Sequence, residues 1–237
     1  MAAQARMELI LTLRRGESVL LTIAIPVLLL GFFSTVDVLP TGTEDPVDFL
    51  FPGVLALSVM STAMVSLAIA TGFERQMGVL KRLGATPLTR PQLLAAKIIA
   101  ILVIEGLQVG ILLLEAVALG WRSTGVRLAV AAAAMVLGTV GFAGLGMVMA
   151  GTLPALTTLA AANGLYLVLL LLGGMIVPLS ELPAALEAVA KVLPSGALSE
   201  ATHGALSSAG VPGWAWTALA AWAVTGPAAA AWCFRWE

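Results

Sequence analysis

The chain has 237 residues but a single cysteine, a single histidine and a single tyrosine, and only 11% of it is charged. Cys233 alone excludes an internal disulfide and a thiolate metal cluster. One histidine, His203, excludes H-E-x-x-H, and no residues suggest a metal site. No G-x-x-x-x-G-K-[ST] precedes Lys81, Lys97 or Lys191, so the chain holds no nucleotide by a P-loop. Ser195 and His203 could be drawn as a serine-protease pair, but G-x-S-x-G is absent. No catalytic constellation is left. A net charge of −1 gives no reason to expect a nucleic-acid partner. Soluble domains carry about 25% charged residues, so a chain with 11% would expose too much apolar surface to water.

What is there is hydrocarbon. Hydrophobic residues make up 60% of the sequence and its mean hydropathy is +1.03. Long apolar runs lie at 18–36, 50–72, 98–120, 128–150, 155–177 and 214–234. Each is near the ~20 residues that cross ~30 Å of hydrocarbon as a helix. None alternates as a barrel strand does. The expected fold is therefore an all-α integral membrane protein with six transmembrane helices, a single domain over 1–237. Pro26 and the glycines within the runs fit this, since membrane helices tolerate both. Glycines Gly138, Gly141, Gly144 and Gly146 predict close helix packing. The first run is long for a signal core and has no small-residue cleavage site after it, so it reads as a retained span. The alanine-rich, lysine-poor usage suggests a high-GC bacterial genome.

Orientation follows from basic residues. With the N-terminus inside, Arg6, Arg14, Arg15, Arg75, Lys81, Arg82, Arg90, Lys97 and Arg235 fall inside, against Arg122, Arg127 and Lys191 outside. Glu44, Asp45 and Asp48 fall in the first outside loop. Both termini are expected in the cytoplasm of a cell inner or plasma membrane. Residues 1–16 predict a helix lying in the inner interface and ended by Gly16, with Gln4, Glu8 and Thr12 as its polar stripe and Ala3, Met7, Ile10 and Leu11 as its apolar one.

The inside loop 73–97 holds Arg75, Lys81, Arg82, Arg90 and Lys97 against one acid, Glu74. A short helix is expected over 74–83, stopped by Gly84, with Thr86-Pro87 starting the next turn. Met77, Leu80 and Leu83 share one face, while Arg75, Lys81 and Arg82 spread over the rest. Apolar anchors with charges around them suit docking on a soluble partner.

The segment Glu74-Arg75-x-x-Gly78-x-Leu80-Lys81-Arg82-Leu83-x-x-Thr86-Pro87-Leu88 resembles the cytoplasmic signature of ABC-type export permeases of the drug, polysaccharide and lipid export class. The six-span layout resembles the same family over nearly the whole chain. Gln76, Val79 and Gly84 depart from that family's commoner residues. The resemblance implies a coupling helix built from Glu74, Arg75, Met77, Gly78, Leu80, Lys81, Arg82, Leu83, Thr86 and Pro87. It implies two ABC ATPase subunits as partners, with ATP and Mg on those chains and no cofactor on this one. A second permease subunit, identical or related, and membrane lipid are the other implied partners. The chain itself is then a transport subunit and not an enzyme.

The outside segment 178–212 carries two stretches too short to span. Leu182, Leu186, Val189 and Leu193 recur at helical spacing, Glu187 and Lys191 form an i, i+4 pair, and Ser195 suits the N-cap of a second helix reaching about Leu206. The expectation is a hairpin of two half-buried helices. The same family carries a re-entrant hairpin before its last span. That resemblance covers Pro178, Pro183 and the pair Leu193-Pro194, with His203 near the family's usual arginine. An extracellular lid over the transport path, including Leu186, is the implied role.

Inside the spans, Glu105, Gln108 and Glu115 share one stripe of the third run, a candidate strip along the transport path or against a partner helix. Asn163 and Tyr166 on the fifth run predict interhelical hydrogen bonds. The leading expectation is an exporter of amphipathic, lipid-like or drug-like molecules. A self-contained secondary carrier or channel is the alternative, and it should show repeat symmetry and broken spans.

Overall fold

A computed structural model describes residues 2–14, 16–36, 46–122 and 126–234. Arg15, Glu44, Asp45 and Arg235, used above for orientation, lie outside them. Helices dominate, and no strand occurs among the described residues. In chain order they are α1 (Ala2–Arg14), α2 (Gly16–Thr35), α3 (Pro46–Met60), a π-helical segment (Ser61–Ser66), α4 (Leu67–Gln76), α5 (Val79–Gly84), α6 (Arg90–Ala118), α7 (Leu128–Thr152), α8 (Ala155–Leu172), α9 (Ala184–Val192), α10 (Pro194–Ala205) and α11 (Gly213–Cys233).

Four of these rods are long and apolar enough to cross a bilayer: Pro46–Gln76, Arg90–Ala118, Leu128–Thr152 and Ala155–Leu172. The first joins α3, the π segment and α4 into one continuous helix. The run expected at 18–36 is helical over Gly16–Thr35, with Thr22–Thr35 its described apolar stretch. The run expected at 214–234 is helical over Gly213–Cys233. It has spanning length, but alanine, tryptophan and glycine make it less apolar than the other four.

Helix α7 is the axle. It packs against α11 most extensively, then α4, α10 and the π segment. The reason is visible in its small residues: Gly138 faces Leu198, Gly141 faces Trp222, Gly144 faces Gly226, and Gly146 faces the Met64 carbonyl. At the tightest point a Cβ on Gly144 would stand 2.2 Å from the Gly226 carbonyl carbon and 2.5 Å from the Pro227 nitrogen. Backbones can approach so closely only where neither residue has a side chain. The close packing expected of this run is therefore present. Outward faces carry Leu28, Leu114, Leu156, Leu171 and Val224 largely exposed, as lipid-facing side chains should be.

Boundaries differ from expectation where punctuation was misread. The helix expected to begin at 98 begins at Arg90. Thr89 is its N-cap in a capping box with Gln92, and Pro91 sits in the first turn. Lys97 is thus inside the helix and not in a loop. Thr86 and Pro87 lie in a turn, as expected, where the Thr86 hydroxyl donates to the Leu83 carbonyl at 2.6 Å. At the other end of the chain, Leu193 and not Ser195 caps α10, with Pro194 in its first turn where a missing N–H costs nothing.

Candidate functional site

The single helix expected over 74–83 is two pieces. Helix α4 runs on to Gln76, so Glu74 and Arg75 belong to the spanning rod. The chain turns at Met77 and at Gly78, whose φ of +72° is a left-handed conformation that glycine adopts without strain. Helix α5 follows, and Gly84 is its last residue and not its stop. The expected common face is split accordingly. Leu80 is wholly buried, Leu83 is half-buried, and Met77 is 63% exposed. Leu80 roots α5 in the bundle, while Met77, Val79, Lys81, Arg82, Thr86 and Pro87 lie on its exposed surface.

Above α5 lies the most heavily charged buried cluster of the described residues. The Lys97 ammonium on α6 donates to Glu74 Oε2 of α4 at 2.8 Å and to Glu8 Oε2 of α1 at 2.9 Å. Lys97 is 3% exposed, Glu8 7% and Glu74 8%. Glu8 Oε1 also accepts from Gln4 Nε2 at 3.0 Å, and Thr12 donates to the Glu8 carbonyl. The polar stripe of α1 therefore faces the bundle, and Met7, Ile10 and Leu13 face outward. Beside this cluster, Arg75 donates from both terminal nitrogens, to the Ala150 carbonyl at 2.9 Å and the Leu153 carbonyl at 3.0 Å. These are carbonyls of the last turn of α7 and of its C-cap, which lack helix partners, and a guanidinium fork is suited to a pair of them. Neither role of Arg75 and Lys97 was legible in a loop rich in basic residues.

A cavity of about 750 Å³ opens from this end of the bundle, between α1, α2, the rod from α3 to α4, α6 and α8. Glu8, Glu74, Lys97 and Met77 line one end. Ser61, Thr62, Val65 and Ser66 of the π segment line the deeper wall, with Asn163 and Tyr166 of α8. A π segment widens a helix locally and commonly sits at functional sites; nothing in the sequence flagged it. The expected bonds of Asn163 and Tyr166 to other helices are not there. Asn163 donates to Leu159 of its own helix at 2.8 Å, and the Tyr166 hydroxyl is unpartnered among the described residues.

The stripe of Glu105, Gln108 and Glu115 faces neighbouring helices but not the cavity. Thr139 of α7 donates to Glu105 Oε2 at 2.5 Å. Gln108 accepts from Thr62 at 3.2 Å and donates to the Thr22 carbonyl at 2.8 Å, tying α6 to the π segment and α2. Glu115 lies against Gly31 of α2. Of the four intramembrane polar candidates, Asn163 alone lines the cavity.

At the opposite end, α9 and α10 form the expected pair of short helices, joined at Leu193-Pro194. Their burial is unequal. In α10, Pro194 to Ser199, Ala201, Thr202, Gly204 and Ala205 are buried, while in α9 only Ala190 is. The expected apolar face of α9 is divided: Leu186 and Val189 are 42% and 50% exposed, while Leu182 is half-buried and Leu193 packs against the core. The Glu187–Lys191 pair forms at 2.7 Å. Pro178 precedes a turn of 3₁₀ helix and Pro183 is the N-cap of α9. His203 ties α10 to α3: its Nε2 is 2.9 Å from the Phe49 carbonyl oxygen, its Nδ1 is 2.8 Å from that of Ser199, and its ring stacks on Phe49 at 4.7 Å. Burial pushes the imidazole below its ordinary value of 6.5, against the raising pull of the two carbonyls.

No curated protein matches the chain. The family described as ABC-2 type transporter does match, over residues 3–206, from α1 to the end of α10. With the spanning helices, that match over most of its length makes this chain a multi-pass membrane permease subunit of the ABC-2 type transporter family.

Proposed function

We propose that the chain is the membrane subunit of an ATP-driven exporter, with six spans, both termini cytoplasmic and α5 as its coupling helix. Two such subunits, identical or related, would work with two separately encoded ATPase subunits that carry ATP and Mg. The observation that carries this reading is the continuity of one rod. The helix that lines the cavity through Ser61, Val65 and Ser66 ends at Gln76, and one turn later becomes α5. A push on α5 is thereby delivered to the cavity wall, and the Lys97 cluster passes it on to α1 and α6. Leu80 fastens the lever, and the exposed Met77, Val79, Lys81 and Arg82 supply apolar and basic surface for a partner. The excess of basic residues on this side supports its cytoplasmic placement. A self-contained carrier has no use for such a helix.

The hairpin fits a closure on the outer side. Because α10 is buried on nearly every side, the moving part is α9 with its Pro178–Pro183 approach, and Leu193-Pro194 is the joint. His203 and the buried α10 hold the fixed side.

Reversing the charges at Lys81 and Arg82 to Glu tests the coupling role. The wild-type permease, purified gently from its native membrane, should carry a P-loop ATPase chain identifiable by mass spectrometry. The reversed variant should insert normally, lose that chain and lose export. Retention of the ATPase and of export by the reversed variant would remove α5 from coupling.

A further inference from the structure

The deep wall of the cavity is polar without being charged. The hydroxyls of Ser61, Ser66 and Tyr166 make no hydrogen bond among the described residues, and Asn163 uses its N–H on Leu159 while its carbonyl oxygen accepts none. None of these groups is sealed off in the protein; each reaches the cavity. The charged groups of the lining, Glu8, Glu74 and Lys97, are bonded together at the other end. From Ser61 to Glu74 is 13 residues along one rod, roughly 20 Å at 1.5 Å per residue. The rest of the wall is mostly apolar, with Ile25, Leu57, Val65, Ile69, Ile101 and Ile104, and its threonines, Thr12, Thr22 and Thr62, are already bonded within the protein.

An unpaired hydroxyl at hydrocarbon depth costs about 1–3 kcal/mol unless something in the cavity meets it. A charged group brought to the same depth finds no opposite charge there and loses its hydration. The volume, about 750 Å³, suits a molecule of several hundred daltons. We propose that this cavity binds an uncharged, largely apolar molecule carrying hydroxyl or carbonyl groups, which Ser61, Ser66, Asn163 and Tyr166 meet at the deep end. That this molecule is the cargo rests on the permease reading; that it binds here does not.

The test uses the full-length chain in phosphatidylcholine nanodiscs. Three photoactivatable diazirine probes share one long alkyl chain and end in an alcohol, a trimethylammonium or a sulfate. Cross-linked peptides are mapped by mass spectrometry, with the unlabelled alcohol as competitor. The alcohol should label the cavity-lining peptides of α3–α4 and α8 saturably, and the two ionic probes should not. Ser61→Ala with Ser66→Ala and Tyr166→Phe should lower the saturable labelling about tenfold, from the loss of two or three neutral hydrogen bonds. Labelling of the lipid-facing side of α8 at Leu171 should not change. If the triple variant unfolds in a thermal scan, Tyr166→Phe alone removes one oxygen and should show a smaller loss of the same kind. Equal cavity labelling by the ionic probes, or alcohol labelling indifferent to these substitutions, would overturn the proposal. Wild-type permease that carries no ATPase chain, with labelling intact, would count against the exporter alone.

Discussion

Two seams hold this bundle together by opposite means. Along α7 and α11, the contact is made by subtraction. Gly144 and Gly226 bring backbones together, and no polar side chain is needed. Along α1, α4 and α6, the contact is made by charge, with Lys97 buried between Glu8 and Glu74. The first seam relies on dispersion over many atoms, each contact small and none directional. The second concentrates its strength in a few groups that are costly to bury unless all are present. A glycine seam is continuous and rigid. A charged seam is a joint between three separate helices, and it lies where α5 begins.

The sharpest way to break the comparison is at the charged seam. Lys97→Met should destabilise the detergent-purified protein by about 3–5 kcal/mol, because two buried carboxylates lose their shared cation. Thermal unfolding measures it. Adding Glu8→Gln and Glu74→Gln should recover most of the loss, since the uncompensated charges then disappear. A Lys97→Met variant that melts with the wild type would mean that water reaches the cluster freely.

The glycine seam should respond less, and differently. Gly144→Ala adds one methyl group where backbone atoms stand 2.2 Å away. The helices must separate, at about 1–3 kcal/mol, and no second substitution by a polar residue should rescue them. Cysteine cross-linking between α7 and α11 would show the shift directly; unaltered cross-linking and melting would contradict so close an approach.

The smallest effect belongs to His203, which uses neither means and ties α10 to α3 through backbone carbonyls. Its imidazole is held below 6.5 by burial. The folded protein therefore binds fewer protons than the unfolded chain between that lowered value and 6.5. Stability from this group is fully present above 6.5 and falls as the pH drops through the lowered value. His203→Gln should flatten the melting temperature between neutral pH and pH about 5. An unchanged acid slope would place the sensitivity elsewhere.

The hairpin also shows how far a sequence reading reaches. Two short helices were expected from the spacing of Leu182, Leu186, Val189 and Leu193 and from Pro194, and two were found. Which way they face was not legible. Periodicity marks an apolar side but not whether protein or lipid covers it, and in a bilayer both are acceptable. The same ambiguity hid the inward turn of Glu8. Gly78 was read as part of a helix because a short amphipathic pattern continues across it; only its left-handed backbone shows the break.

Hydrophobic run length, the scarcity of charge and the segment around Glu74–Leu88 determined by themselves that this is a helical membrane permease. Hydrocarbon allows few alternatives to a helix of about 20 apolar residues. Tertiary structure alone decided the partners. Lys97 meets residues 89 and 23 positions away, and Arg75 meets carbonyls 75 and 78 positions away. No local pattern encodes such pairings. They follow from how the helices pack side by side, and that packing leaves the cavity open along the π segment.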